Sequence, residues 1–325
     1  MTAEATLHTG LHSAGTVSRE ALAEAYHPKR SFPFWGIVKH LVLIFFCFLI
    51  LFPLAWVLLL SVKTIPDANK PEIWPAVFEW GHYSYAWNKI PTLRENYMNS
   101  IVVTVGTVVL TTVCAVLAGY ALVFLRAPGK AIVTSLLVAS LFFPTRVTAF
   151  IGIWQVQREF GLINKSWGLI FPYTALGIAI SVFVMRGVFQ TVPKDLVDSA
   201  KIDGAGAFRT LVSIMLPLVR NGIVVVIIIN FVIAWGEYLL ASRLMNEQSE
   251  WTMPVVLASA SGGQGMWAMP RLAAVYIMAI APGLIFFALA QRWYMKGLQE
   301  GALKGVADRG PHQTPLPLRQ ERAFP

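Results

Sequence analysis

The chain has 325 residues, of which 56% are hydrophobic and 13% charged, and it carries a formal net charge of +9. That balance excludes an ordinary soluble domain. The positive charge calls for no nucleic-acid partner, because it follows from where the loops fall relative to a membrane.

Residues 1–31 are polar and hold no apolar core, so they read as a disordered cytoplasmic segment and not as a cleavable signal peptide. Six apolar stretches follow, each near the roughly 20 residues needed to cross a bilayer. They fall at 35–62, 97–125, 131–155, 167–189, 222–241 and 272–293. The first external loop, 63–96, holds Pro66, Pro71, Pro75, Pro91, Trp74, Trp80 and Trp87. It is too long and aromatic for a mere connector, and it lines either an external vestibule or the interfacial aromatic belt. Gly106, Gly119 and a run of threonines in the second span suit close helix approach. A short external loop at 158–166 separates spans three and four, and the last external loop, 246–270, ends in a flexible polar tip around Gly262, Gly263 and Gln264. A Pro-rich cytoplasmic tail occupies 306–325. With both termini cytoplasmic, the inside segments hold most of the 26 Lys and Arg residues, as the positive-inside rule requires. The expected fold is all-α, an integral membrane protein with six transmembrane helices.

Between spans four and five lies a polar, amphipathic segment, DSAKIDGAGAFRTLVSIMLP from Asp198 to Pro217. Pro193, Asp195 and Asp198 suit a helix start, the carboxylates facing the positive end of the dipole. Gly204 offers a left-handed stop and chain reversal. Phe208, Leu211, Val212 and Met215 then recur at helical spacing as a second apolar stripe. A helix lying on the lipid surface is the bland alternative, but it requires neither the Gly204 spacing nor the Leu216-Pro217 ending.

This loop resembles the EAA loop of ABC-importer permeases: EAA, three residues, G, nine residues, I-x-LP. Gly204, Ile214, Leu216 and Pro217 stand at that spacing, with Asp198-Ser199-Ala200 in place of the triplet. Asn230–Ala241 (NFVIAWGEYLLA) is similar to an aromatic run of carbohydrate-importer permeases, with Gly236 where Asn is usual. Gly161–Asn164, Phe171-Pro172-Tyr173 and the ending from Gln291 to Gly305 resemble the shorter permease subunit of maltose-type importers. The resemblance implies a type I ABC importer permease fold, with domain 32–305 carrying a coupling loop at 191–220. It implies Asp198, Ala200, Asp203, Gly204, Ala205, Phe208, Leu216 and Pro217 as the ATPase-coupling element, and Gly297, Lys304 and Gly305 as a C-terminal ATPase contact. Gly262, Gly263 and Gln264 would touch the binding protein. The implied partners are a second permease subunit, two ATPase subunits and an extracytoplasmic solute-binding protein at a bacterial inner membrane. No cofactor belongs on this chain; ATP and Mg belong on the partner ATPase.

The residues themselves agree with a chain that does no covalent chemistry. There is no GxxxxGK[ST] phosphate loop, no HExxH and no GxSxG, and Cys47 and Cys114 read as small buried hydrophobes. Two ionisable residues, Arg146 and Glu237, lie at similar depth inside spans three and five. A charge at mid-bilayer costs about 2.5–3.5 kcal/mol, so each needs a reason. Three stay open: a structural pair, snorkelling of Arg146, or a ligand role for Arg146 towards an anionic group. Asn99, Gln155, Asn230 and Tyr238 are further candidates for a solute path, weighed against plain helix–helix hydrogen bonds. The expected function is import of a sugar or sugar derivative by alternating access. The alternatives are a polyol, glycerol phosphodiester or other anionic solute, and, in another class, an ion-coupled secondary transporter.

Overall fold

The computed structural model describes residues 34–126, 128–142, 149–261 and 267–307, with side chains from 36 to 291 within those ranges. Residues 1–31, most of the Pro-rich tail, Arg146, and Gly262, Gly263 and Gln264 therefore lie outside the described residues, as do the side chains of Gly297, Lys304 and Gly305. Two units divide the chain, Met1–Ala55 and Trp56–Pro325. The described residues are helical, with no strand among them.

The first unit contributes most of α1, Phe34–Ser61, an unbroken apolar helix whose Leu43, Phe48 and Ile50 are all exposed. In the second unit, a loop with its own hydrogen bonds leads to α2, Gly81–Lys89. Within that loop Asp67 pairs with Lys70 at 2.8 Å and accepts the Ala76 N–H at 3.0 Å. The Lys70 ammonium, and then the Ala76 amide, hold the Asp67 carboxyl below the usual carboxylate range. His82 reaches the Lys63 carbonyl at 2.8 Å, so this long loop is tied down and not a slack connector.

Three helices form the frame: α3 (Leu93–Phe124), α6 (Ile170–Gln190) and α9 (Arg220–Trp235). At 1.5 Å per residue α3 is about 48 Å long, enough to cross the hydrocarbon and project beyond it. It touches three buried clusters in turn. Leu93 packs with Ala86, Met253 and Val275, Val103 packs with Leu169, Tyr173 and Leu240, and Ala115, Val116 and Tyr120 pack with Met185, Phe189 and Met215. Close approach of α3 and α6 depends on Gly119. A Cβ there would lie 2.9 Å from Met185 Cβ and 3.1 Å from the Arg186 backbone nitrogen.

Between α3 and α6 come α4 (Lys130–Phe142) and α5 (Phe150–Glu159), the described parts of the stretch where one span over 131–155 was expected. Residues 143–148, which join them, lie outside the described residues. The loop after α6 carries α7 (Lys194–Ile202) and α8 (Ala207–Leu218). Beyond α9 stand α10 (Leu239–Leu244), α11 (Met253–Ser261) and α12 (Met269–Ala307), which contains Pro282.

Among the described residues, four helices are long and apolar enough to cross a membrane: Gly36–Ser61, Leu93–Phe124, Ser166–Gln190 and Met269–Gln291. The pair α8 and α9 passes the same test together but bends by 82°. α4 is apolar but shorter than a full span. The fifth apolar stretch also ends earlier than its composition suggests. It was expected to run over 222–241, yet α9 stops at Trp235, and the chain resumes as α10 only at Leu239.

Gly119→Val should overlap the α6 backbone and cost about 1–3 kcal/mol. The check is the thermal unfolding midpoint of the purified protein. Gly152→Ala, whose Cβ meets nothing within 4 Å, should not lower it.

Candidate functional site

The loop between α6 and α9 is a tightly built helix–turn–helix. Pro193, with φ −57° and ψ 134°, delivers the chain into α7, and Asp195 lies in its first turn. The end of α7 is closed by two reaching hydrogen bonds, Ala205 N–H to the Ala200 carbonyl at 2.9 Å and Gly204 N–H to the Lys201 carbonyl at 3.0 Å. This is the Schellman arrangement, and Gly204 takes the left-handed position at φ +77°. A Cβ on Gly204 would meet nothing within 4 Å, so its requirement is conformational and not one of space. Asp203 sits at the C-cap, its N–H on the Ser199 carbonyl at 3.0 Å.

α8 then widens. Leu211–Met215 forms a π turn, in which the Leu216 N–H reaches back to the Leu211 carbonyl. Pro217 follows immediately; it has no N–H, and its ring would clash with the carbonyl one turn back in a regular helix. The widened turn resolves that conflict, and Val219 carries the chain round into α9.

One face of this element is locked to the spans. Val197, Ala200, Leu211, Met215 and Val219 are all buried, most of them in the cluster with Tyr120, Met185 and Phe189. Tyr120 and Phe124 both meet the Phe189 ring edge-on, with centroids 5.8 and 6.1 Å away. The other face is bare and apolar: Ile202 is 86% exposed and Phe208 73%. Leu216 is half-buried and Pro217 exposed. Asp198 pairs with Lys201 at 2.8 Å on the surface. The Lys201 ammonium first, and Arg126 and Lys194 at longer range, hold its carboxyl below the usual range. A depressed carboxylate keeps its pairing above the unfolded-state value and loses it only as pH falls through the lowered one, so the charge is fixed at neutral pH.

At the opposite end of α9 lies the break that holds Glu237. Its buried carboxylate accepts the Tyr173 hydroxyl at 2.8 Å, the Leu240 N–H at 3.0 Å to the other oxygen, and the Ala241 N–H at 3.2 Å. Glu237 thus starts α10, supplying an acceptor to amides that would otherwise be orphaned in an apolar setting. Among the described residues no cation lies within ion-pair distance of it; the pairs found are Lys70–Asp67, His82–Glu79 and Lys201–Asp198. Arg146, for which pairing with Glu237 was one of three readings, lies outside the described residues.

The remaining path candidates are scattered. Asn230 is fully buried, donating to Ser181 Oγ at 2.7 Å and to the Val226 carbonyl at 2.8 Å, with its oxygen against Gly177 of α6. Asn99 donates to the Ser249 carbonyl at 2.7 Å, tying α3 to the segment before α11. Gln155 is exposed on α5. Tyr238, 46% exposed, borders a largely apolar cavity of about 500 Å³ shared with Trp235, Tyr276 and Gly283. Tyr173 and Tyr276 were not picked out from the sequence as site residues. For Tyr173 the available signal was its place in Phe171-Pro172-Tyr173; for Tyr276 there was none beyond composition.

A polytopic helical frame, a rigid helix–turn–helix on one side and an aromatic cavity at a helix break on the other define a membrane transport component. The comparisons make that specific. Residues 111–299 match the family described as the inner membrane component of binding-protein-dependent transport systems, and the chain belongs to that family. It is 27% identical over 273 residues to a diacetylchitobiose uptake system permease protein of Streptomyces coelicolor, covering 83% of this chain and 89% of that one. It is 32% identical over 257 residues to a sulfoquinovosyl glycerol transport system permease protein of Agrobacterium fabrum, covering 78% and 89%. Among solved structures it is similar to a bacterial ABC transporter for import of the acidic polysaccharide alginate, with a TM-score of 0.72 at 20% identity over 82% of this chain and 98% of that one. The expected permease fold and family are thereby borne out.

Any side chain at Gly204 must adopt the left-handed conformation, which costs about 1–2 kcal/mol. Gly204→Val should therefore loosen the turn and lower the thermal unfolding midpoint of the purified protein. Gly206→Ala, at φ −68° with open space around its Cβ, should leave it unchanged.

Proposed function

We propose that this chain is the permease subunit of an ATP-driven importer for a sugar or sugar derivative, coupled through α7 and α8 to a separate ATPase. The single observation that carries this reading is the two-faced coupling element. Its inner face is buried against α3, α6 and α9, while Ile202 and Phe208 project from the outer face, exposed among the described residues. An apolar aromatic anchor on a rigid, capped turn is what a groove on a partner requires. Motion of that partner is passed on because the inner face has no slack.

In this reading the loop and both termini are cytoplasmic, and a second permease subunit completes the pore. Two ATPase subunits bind ATP and Mg, an extracytoplasmic solute-binding protein delivers the ligand, and α9 and its break lie beside the solute. Closure of the ATPase pair on ATP moves α7 and α8 and opens the path outward; hydrolysis resets it inward. This chain performs no covalent step. Import of a carbohydrate is supported by the named relatives, both permeases for sugar-containing solutes. It is also supported by the Trp235, Tyr238 and Tyr276 wall, since aromatic faces with a few polar groups suit a sugar ring.

Ile202→Glu and Phe208→Glu test the coupling element. Each should weaken association with the ATPase by roughly 30-fold, the loss of about 2 kcal/mol expected for a buried anchor. The readout is co-purification of the ATPase with the tagged chain. Full recovery of the ATPase with both variants, in membranes where the second permease still co-purifies, would remove the reading.

A further inference from the structure

We propose that the cleft enclosed by the end of α3, the start of α4 and α7 binds the headgroup of an anionic phospholipid. The cleft has a volume of about 570 Å³, far more than the roughly 30 Å³ share of a single water, so it has room for a headgroup and not merely an ion. Four cations line it: Arg126, Lys130, Lys194 and Lys201, against one carboxylate, Asp198. Two of the four are already engaged. Lys201 is paired with Asp198, and Lys130 donates to the Leu122 carbonyl at 3.0 Å, closing the end of α3. Arg126 and Lys194 have no ion-pair partner among the described residues.

The walls select the class of ligand. Val123, Phe124 and Leu125, at the end of the span-length helix α3, give the cleft an apolar side beside its cations. Cations meeting an apolar wall where a span leaves the hydrocarbon match a molecule with a phosphate at one end and acyl chains at the other. A soluble anion would use the cations alone and leave the wall idle. The proposal rests on the cytoplasmic placement of the loop given above, because anionic lipid and the positive loops share that leaflet. Its consequence concerns coupling. α7 supplies Lys194, Val197, Asp198 and Lys201 to the cleft, so a bound headgroup bridges α7 to the ends of α3 and α4.

The test uses the intact importer, this chain with its partner subunits, equilibrated in phosphatidylcholine with and without phosphatidylglycerol and weighed by native mass spectrometry. The wild type should retain phosphatidylglycerol, and Arg126→Gln/Lys194→Gln should retain it about tenfold less, with all subunits present in both. Equal retention overturns the site. Displacement of the lipid by inorganic phosphate at equal concentration shows a free-anion site and overturns the lipid assignment. Loss of the ATPase from the double variant with unchanged lipid shows an ATPase surface and does the same. Lys194→Cys, challenged with a membrane-impermeant thiol reagent on intact cells, separates the two readings. Labelling from outside overturns the orientation together with the lipid site, whereas a protected thiol with equal retention overturns the lipid site alone.

Discussion

Everything in this structure depends on the lock between the α7–α8 helix–turn–helix and the helix ends, where Met215 and Leu211 of α8 and Val197 of α7 bury themselves against Tyr120, Met185 and Phe189. Helices in lipid gain little from hydrophobic burial against one another, so their order must come from close packing and satisfied polar groups. Where the loop packs on the helix ends, an apolar cluster adds burial to that order. A loop that would otherwise be slack is thereby made an extension of the frame. The sharp bend of 82° between α8 and α9 falls at Val219, which is itself buried in the same cluster.

Along α9 the determinants change from packing to hydrogen bonding. Asn230 ties it to α6 through Ser181, and Trp235 donates to the Ala279 carbonyl of α12 at 3.0 Å. Phe231 stacks on Phe286 with centroids 4.1 Å apart. Beyond Trp235 the helix stops, because Glu237 draws the amides of Leu240 and Ala241 into a new start and is itself held by Tyr173. A carboxylate that reads as a costly buried charge is thus a helix cap with a hydroxyl donor, in keeping with buried charge surviving only when its hydrogen bonds are met. The Trp235, Tyr238 and Tyr276 cavity opens beside that break.

Four of the expected spans and the α7–α8 turn were legible because their determinants are local. Apolar run length marks a span, and Gly204 at a fixed distance from Leu216-Pro217 marks the turn, which the structure places at φ +77°. The break after Trp235 was not legible, because Leu239-Leu240-Ala241 continues the apolar composition. What interrupts α9 is a hydrogen bond to Tyr173, 64 residues away in sequence, and no periodicity reports that. The π turn was hidden for a similar reason: the apolar spacing at Leu211 and Met215 fits a regular helix as well as a widened one.

The most direct measurement is a spin-label distance between Ser199 on α7 and Val113 on α3, both exposed, in the assembled importer with and without ATP. If the coupling element moves as one body with the span ends, that distance stays the same in both states while distances to the ATPase change. A shift of the α7-to-α3 distance on binding ATP would contradict the account, since the loop would then be a hinge and not a rigid link.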